Sequence, residues 1–132
     1  MRESEALDVI LVQINPRKRV ETPRTASQIL NRLNEISFNS PLMKELRMIA
    51  LLRQAADPGS GEGARWARML MHRIATDKLA EYGASSKLNA EGEFLSMLKE
   101  DGRRAADAFL SAHGADLGKR STADLDALLK EV

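Results

Sequence analysis

The chain of 132 residues contains no cysteine. This absence excludes disulfide bonds, thiolate nucleophiles and metal sites with cysteine ligands. His72 and His113 are its two histidines, and neither has a second histidine at the short spacing of a zinc site. We interpret His72 as a hydrogen-bonded, partly buried residue of an apolar segment. His113 would complement the dipole of a helix at its last turn. We therefore expect no metal and no cofactor.

The chain also lacks an excess of charge of one sign, since it contains 20 basic and 19 acidic residues. A nucleic-acid partner is therefore not expected. The basic run at residues 17–19 could touch anionic lipid headgroups, but three charges followed by Glu21 are more typical of a solvated loop. No apolar run approaches the ~20 residues of a membrane span, and the first residues lack the apolar stretch of a secretory signal. The default expectation is a cytoplasmic protein, which leaves a membrane-associated or secreted parent protein open.

Catalytic motifs are absent as well. Ser60 is flanked by Gly59 and Gly61, but no strand precedes it and its spacing differs from the G-x-S-x-G motif of serine hydrolases. Ser85-Ser86-Lys87 lacks the S-x-x-K spacing that places both groups on one helical face. The glycines of residues 59–63 match no phosphate-binding loop. We expect no catalytic residue in this chain.

What is present begins with an apolar, β-branched run, DVILVQINP at Asp8–Pro16. Such a run is typical of a strand buried on both faces in a parallel sheet, which needs neighbouring strands and helices. Arg65–Thr76 fits either a helix or a second short strand. Little else resembles a strand. The pattern therefore predicts the end of a larger α/β domain.

The remaining segments are predicted to be helical. A capping box of Thr25 and Gln28, or Thr22 followed by Pro23, begins the first helix. Pro41 is expected to break or kink it, so we favour two segments that meet near residues 38–41. Residues 57–64 read as a flexible loop. The apolar positions that we assign to the buried faces are Ile29, Leu33 and Ile36, then Leu42, Leu46 and Ile49.

Two further helices are predicted toward the end of the chain. Asn89 would cap a helix that starts at Ala90 and ends before Gly114. Its buried face would carry Phe94, Leu98, Ala105 and Phe109. Ser121 and Asp124 would open a last helix with an apolar stripe of Leu125, Leu128 and Leu129. We therefore expect an α-rich part of an α/β fold, with one or two buried parallel strands near residues 8–15 and 68–75 and four or five covering helices.

Three stretches carry a family resemblance when taken together. The first is DVILVQINP followed by ETPRTASQILNRLNEISFNSPLMKELRMI. The second is MLMHRI followed by GASSKLNAEGEFLSMLKEDGRRAADAFLSAH, and the third is the closing DLGKRSTADL. In this order they resemble the region that follows the catalytic aspartate in bacterial patatin-like phospholipases. The resemblance favours a strand at Met69–Ile74. Pro41 departs from it, in a part that the family keeps helical.

The resemblance implies a parent protein that hydrolyses acyl esters of lipids with a Ser–Asp dyad. In that family the serine lies in G-x-S-x-G and the aspartate in D-G-G or D-G-A, both upstream of the region that this chain resembles. Residues 1–132 would then be a single domain or fragment without catalytic residues. Its partners would be the upstream catalytic part, a second copy through Val9–Ile14, or a lipid surface. The alternative is a free-standing helical interaction module.

Overall fold

A computed structural model describes residues 7–17, 19, 21–57, 59, 61–82, 86 and 89–127. It contains two strands, β1 (Asp8–Gln13) and β2 (Leu70–Ala75). Within the described residues, the α-helices are α1 (Ala26–Ala55), α2 (Gly61–Arg68) and α3 (Gly92–His113). Single 3-10 turns follow β2 at Asp77–Ala80 and α3 at Gly114–Asp116. The mostly helical chain with its small parallel sheet confirms an α-rich part of an α/β fold.

The two strands pair in parallel over their whole length, with Asp8 opposite Leu70 and Gln13 opposite Ala75. For Arg65–Thr76, the sequence allowed either a helix or a strand, and the structure contains both. Its first residues belong to α2 and its later ones to β2. Because α2 begins at Gly61, the loop predicted for residues 57–64 is shorter than expected.

Helices lie on opposite faces of the sheet. On one face, Met71 of β2 packs with Leu46 and Ala50 of α1 and with Leu125, and these four residues form the buried cluster of the core. On the other face, Phe109 of α3 meets the ring of His72 edge-on, with centroids 6.1 Å apart. The chain therefore builds three layers around two strands, as parallel strands require.

Helix α1 continues through Pro41, so the predicted break near residues 38–41 is wrong. The capping box of Thr25 and Gln28 is formed at its start. Pro41 is exposed and loses one backbone hydrogen bond, a local cost of ~3 kcal/mol. Burial of Leu46 and Ala50 just beyond it offsets this cost, because one fully buried aliphatic side chain contributes about 1.5–3 kcal/mol.

The first half of α1 buries a different face from the predicted one. Its buried residues are Glu35 and Asn39, which continue the stripe of Leu46 and Ala50. Ile29, Leu33 and Ile36 lie about a quarter-turn away around the helix and are 54%, 57% and 52% exposed. The periodicity correctly identified an apolar face, but nothing in the described part of the chain covers it.

Two helix starts also differ from expectation. Helix α3 begins at Gly92 rather than Ala90, and the side chain of Asn89 accepts a hydrogen bond from the Glu91 N–H in the turn before it. The end of α3 at His113 is confirmed. Near the chain's end, Asp124 rather than Ser121 accepts a capping bond, from the N–H of Ala127. Leu128 and Leu129 lie outside the described residues.

Candidate functional site

The outer edge of β2 is closed by the segment Ser121–Ala123. The N–H of Met71 donates to Ser121 Oγ at 3.0 Å. The carbonyl oxygen of Met71 accepts the N–H groups of Thr122, at 3.0 Å, and Ala123, at 2.9 Å. This segment therefore satisfies the outward backbone groups of Met71, the second residue of β2, and prevents another strand from pairing at that position.

The outer edge of β1 is open in the described part of the chain, where the sheet has two strands. The N–H of Leu70 donates to the carbonyl of Leu7, so the odd-numbered residues of β1 direct their backbone groups toward β2. The backbone groups of Asp8, Ile10 and Val12 consequently point to the open edge. Val12 is 62% exposed although its composition suits a buried strand.

A polar network around His72 joins three distant segments. The ring is completely buried, and its Nε2 lies 2.8 Å from Oδ1 of Asp8. Its Nδ1 lies 3.0 Å from the hydroxyl of Thr122. The backbone N–H of Gly118, at 2.9 Å, and the His72 ring stabilise the carboxylate of Asp8 and lower its pKa.

The His72 network has the group types of a hydroxyl–histidine–carboxylate triad, but its ring is completely buried and gives a substrate no access. In such triads, backbone N–H groups beside the nucleophile commonly stabilise the oxyanion. The N–H groups of Thr122 and Ala123 both donate to Met71 instead. The buried ring thus fastens the closing segment to the sheet. The hydrogen-bonded histidine predicted from the sequence is confirmed, but it is completely rather than partly buried.

An apolar groove lies at the carboxyl ends of the two strands, between the first halves of α1 and α3. Its volume is about 380 Å³. In parallel α/β sheets, ligands bind at this end of the strands. Its apolar and aromatic wall is formed by Val12, Ile14, Phe38, Ile74, Leu79, Tyr82, Phe94, Leu98 and Ala105. The groove is therefore the candidate binding site of the described residues.

Glu35 is a buried carboxylate on the α1 side of the groove. Arg19 donates to both of its oxygens, with Nη2 at 2.6 Å from Oε1 and Nε at 2.9 Å from Oε2. Arg32 adds a bond at 3.2 Å. These guanidinium groups, Arg19 first, lower the pKa of Glu35 although its burial acts in the opposite direction.

Asp101 is the buried carboxylate on the α3 side. Its Oδ1 accepts hydrogen bonds from Arg104 and, at 3.1 Å, from Lys78. These two cations, Arg104 first, lower the pKa of Asp101. Both carboxylates that line the groove are thus ionised and neutralised by partners.

Of the residues considered from sequence, the structure describes His72, whose network is given above, Ser86 and His113. Ser60, Ser85 and Lys87 lie outside the described residues, whereas Ser86 lines the groove. His113 pairs with Asp116 at 3.3 Å at the end of α3. The ion pairs of the groove were not predicted from the sequence. Their signal was the spacing of three residues between Arg32 and Glu35, and between Asp101 and Arg104.

Neither metal binding nor membrane crossing is indicated where the chain is described. No group of three or more histidine, aspartate or glutamate side chains there could hold a metal ion. None of the helices there is both long and apolar enough to traverse a bilayer. No protein-family model, curated protein or solved structure matches this chain.

Proposed function

We propose that this chain is the C-terminal, non-catalytic part of a bacterial patatin-like phospholipase. The parent protein would hydrolyse acyl esters of lipids, with a serine nucleophile activated by an aspartate in the upstream part. The chain's contribution would be structural: it would complete the parallel sheet and cover it with helices. The observation that carries the proposal is the asymmetry of the sheet: Ser121–Ala123 bond to Met71 of β2, whereas no described segment pairs with the outer edge of β1.

The open edge supports an upstream neighbour because a strand of this composition is stable only inside a sheet. Ile10, Val12 and Ile14 are exposed, together with unpaired edge groups that would favour aggregation of an isolated chain. An adjacent strand would pair with the edge, and its helices would cover these side chains.

The exposed face of α1 supports the same proposal. Ile29, Leu33 and Ile36 form an apolar stripe with no partner in the described part of the chain. Soluble domains rarely leave such a stripe uncovered unless another surface docks on it. An upstream helical layer on the same side of the sheet would bury it.

The test uses the DNA upstream of Met1. An in-frame sequence that encodes G-x-S-x-G and then D-G-G or D-G-A is expected. The joined protein, which consists of this upstream part and residues 1–132, should hydrolyse a short-chain nitrophenyl ester. Replacing the serine of G-x-S-x-G by alanine should abolish the reaction. The 132-residue chain alone should give only background hydrolysis. An upstream sequence without these motifs, or an inactive joined protein that is folded, would refute the proposal.

The same stripe of α1 favours a second candidate, a free-standing helical interaction module. Apolar residues at positions 29, 33 and 36 are spaced as anchors for a helix-in-groove contact. An upstream sequence without the two motifs, combined with a stable folded chain of 132 residues, would favour this candidate over the phospholipase.

A further inference from the structure

A second cavity of the described residues lies between the end of β2 and the second half of α3. Its volume is about 490 Å³, and residues 73–76 form its strand side. Ala105, Ala108 and Ala112 form the helical side, on one face of α3 because they are three and four residues apart. Their short side chains leave space between the helix and the strand. The volume lies within the range of small-molecule sites, roughly 300–1,000 Å³.

Cationic side chains outnumber acidic ones in the wall of this cavity. The cations are Arg73, Lys78 and Arg104, and among the described residues of the wall Asp101 is the acidic one. With the His113 ring neutral, three positive charges against one negative charge leave an excess of two, whereas the whole chain has a net charge of +1. This cavity, which we call the cationic cavity, therefore attracts anions more strongly than the average surface of the chain.

Asp101 holds two of the cations at one point. Its Oδ1 accepts hydrogen bonds from Lys78 Nζ, at 3.1 Å, and from Arg104 Nη2. The carboxylate is buried, whereas both cationic side chains are more than half exposed. A lysine ammonium carries three N–H donors and an arginine guanidinium five, so most of these donors remain available to a ligand. Asp101 thus fixes two cations beside the cavity but neutralises only one of their charges.

Arg73 adds the third cation, from β2. Its side chain is exposed and has neither a hydrogen bond nor an ion pair within the described part of the chain. A single exposed arginine is commonly just solvated, but this one borders a cavity in which two cations are already fixed. The planar fork of a guanidinium matches the oxygens of a phosphate group, to which it can donate two parallel hydrogen bonds. The three cations therefore offer donors to several oxygens of one anion.

We propose that the cationic cavity binds the phosphate group of a small, soluble phosphate monoester. A phosphate dianion matches the excess of two positive charges, and its three terminal oxygens can accept hydrogen bonds from Arg73, Lys78 and Arg104. A single carboxylate has one charge and two oxygens, so it would satisfy fewer of these donors. The organic part of the ligand would lie against Ala108 and Ala112. This site goes beyond the proposed function and does not depend on it.

The test is a titration of the full 132-residue chain with glycerol 3-phosphate at constant ionic strength, followed by NMR of the two histidine rings. His113 lines the cationic cavity, so its ring resonances should shift saturably. His72 is completely buried and does not line the cavity, so its resonances should shift much less. Glycerol should shift neither ring. The cavity lies on the β2 side of the sheet, so self-association through β1 leaves it accessible.

Two neighbouring arginines of α3 give matched variants. Arg104→Gln should weaken the affinity for glycerol 3-phosphate about fivefold or more, because the phosphate loses a charged donor. The side chain of Arg103 is exposed to nearly the same extent, 62% against 63%, but it pairs with Glu100 and does not line the cavity. Arg103→Gln should therefore leave the affinity unchanged. Arg104→Lys should recover most of the lost affinity, because it restores the charge.

Arg73→Gln is an independent variant, because it removes no ion pair of the described residues. It should weaken the affinity about as much as Arg104→Gln and leave the circular dichroism spectrum unchanged. Absence of saturable binding by the unmodified chain, or equal affinities of that chain and both variants, would overturn the inference.

Vesicles that contain phosphatidic acid present the same phosphate monoester on a membrane, so they distinguish a soluble ligand from a lipid headgroup. The chain should bind glycerol 3-phosphate in free solution. It should sediment with these vesicles no more than with vesicles of phosphatidylcholine alone. Sedimentation with the phosphatidic acid vesicles that is lost in Arg104→Gln would assign the site to a headgroup and overturn the proposal of a soluble ligand.

Discussion

The two edges of the sheet differ in what satisfies their backbone groups. On the β2 side, Ser121–Ala123 bond to Met71, and the buried His72 holds Thr122 in place. On the β1 side, the described residues supply no equivalent segment. At Met71, β2 is therefore a terminal strand, whereas β1 offers an edge along which the described sheet can be extended.

The largest expected effect separates the closed side from the open one. Met71→Ala should lower the free energy of unfolding by about 2–5 kcal/mol, because the side chain is 2% exposed and its loss leaves a cavity. Val12→Ala should cost less than about 1 kcal/mol, because this side chain is mostly exposed. Urea denaturation of both variants measures the contrast, and equal losses would contradict the difference in burial between Met71 and Val12.

A smaller loss is expected at the ion pairs of the groove. Glu35→Gln should reduce the free energy of unfolding by about 1–3 kcal/mol, because Arg19 and Arg32 lose a charged acceptor. The exposed Glu45 on the same helix is the control, and Glu45→Gln should change stability by less than about 0.5 kcal/mol. If both exchanges behave alike in urea, the Glu35 ion pairs do not contribute to folding.

The open edge predicts self-association of the isolated chain. At micromolar concentration, sedimentation should reveal dimers or larger species that pair through Val9–Ile14. Ile10→Lys should weaken this association about tenfold by placing a charge at the edge. A clean, stable monomer of the unmodified chain would mean that its own residues cover β1.

Acid should weaken the fold gradually. The pKa values of Asp8, Glu35 and Asp101 are lowered in the folded chain, so their stabilising contribution is complete above their unfolded values of about 4. It is lost as the pH falls through the folded values. The urea midpoint should therefore decrease between pH 6 and pH 3, and Glu35→Gln should show a smaller decrease. Equal decreases would exclude Glu35 from this dependence.

The strands were predictable because their signal is local. The β-branched run at Val9–Ile14 and the apolar residues 69–74 suit a pleated sheet wherever they lie, and both were found within about two residues of expectation. The continuation of α1 through Pro41 was not predicted, because it depends on distant contacts. Its local cost was visible in the sequence, whereas the burial of Leu46 and Ala50 that offsets it depends on the distant Met71.

The site was much less predictable. Its groove combines residues from position 12 to position 105, and its carboxylates are neutralised in part by Arg19 and Lys78, which are remote in sequence. Periodicity identifies an apolar face such as that of Ile29 and Leu33, but it cannot tell whether a partner covers it. The groove and its ion pairs follow from the tertiary arrangement alone.

Hydrogen exchange within β1 tests the central claim most directly. In a dilute, monomeric sample, the amides of Val9 and Leu11 face β2 and should exchange slowly, whereas those of Ile10 and Val12 face the open edge and should exchange quickly. In the joined protein, all four amides should be slow. Equal protection of all four in the monomeric 132-residue chain would contradict the account, because it would place a pairing partner for β1 within the chain itself.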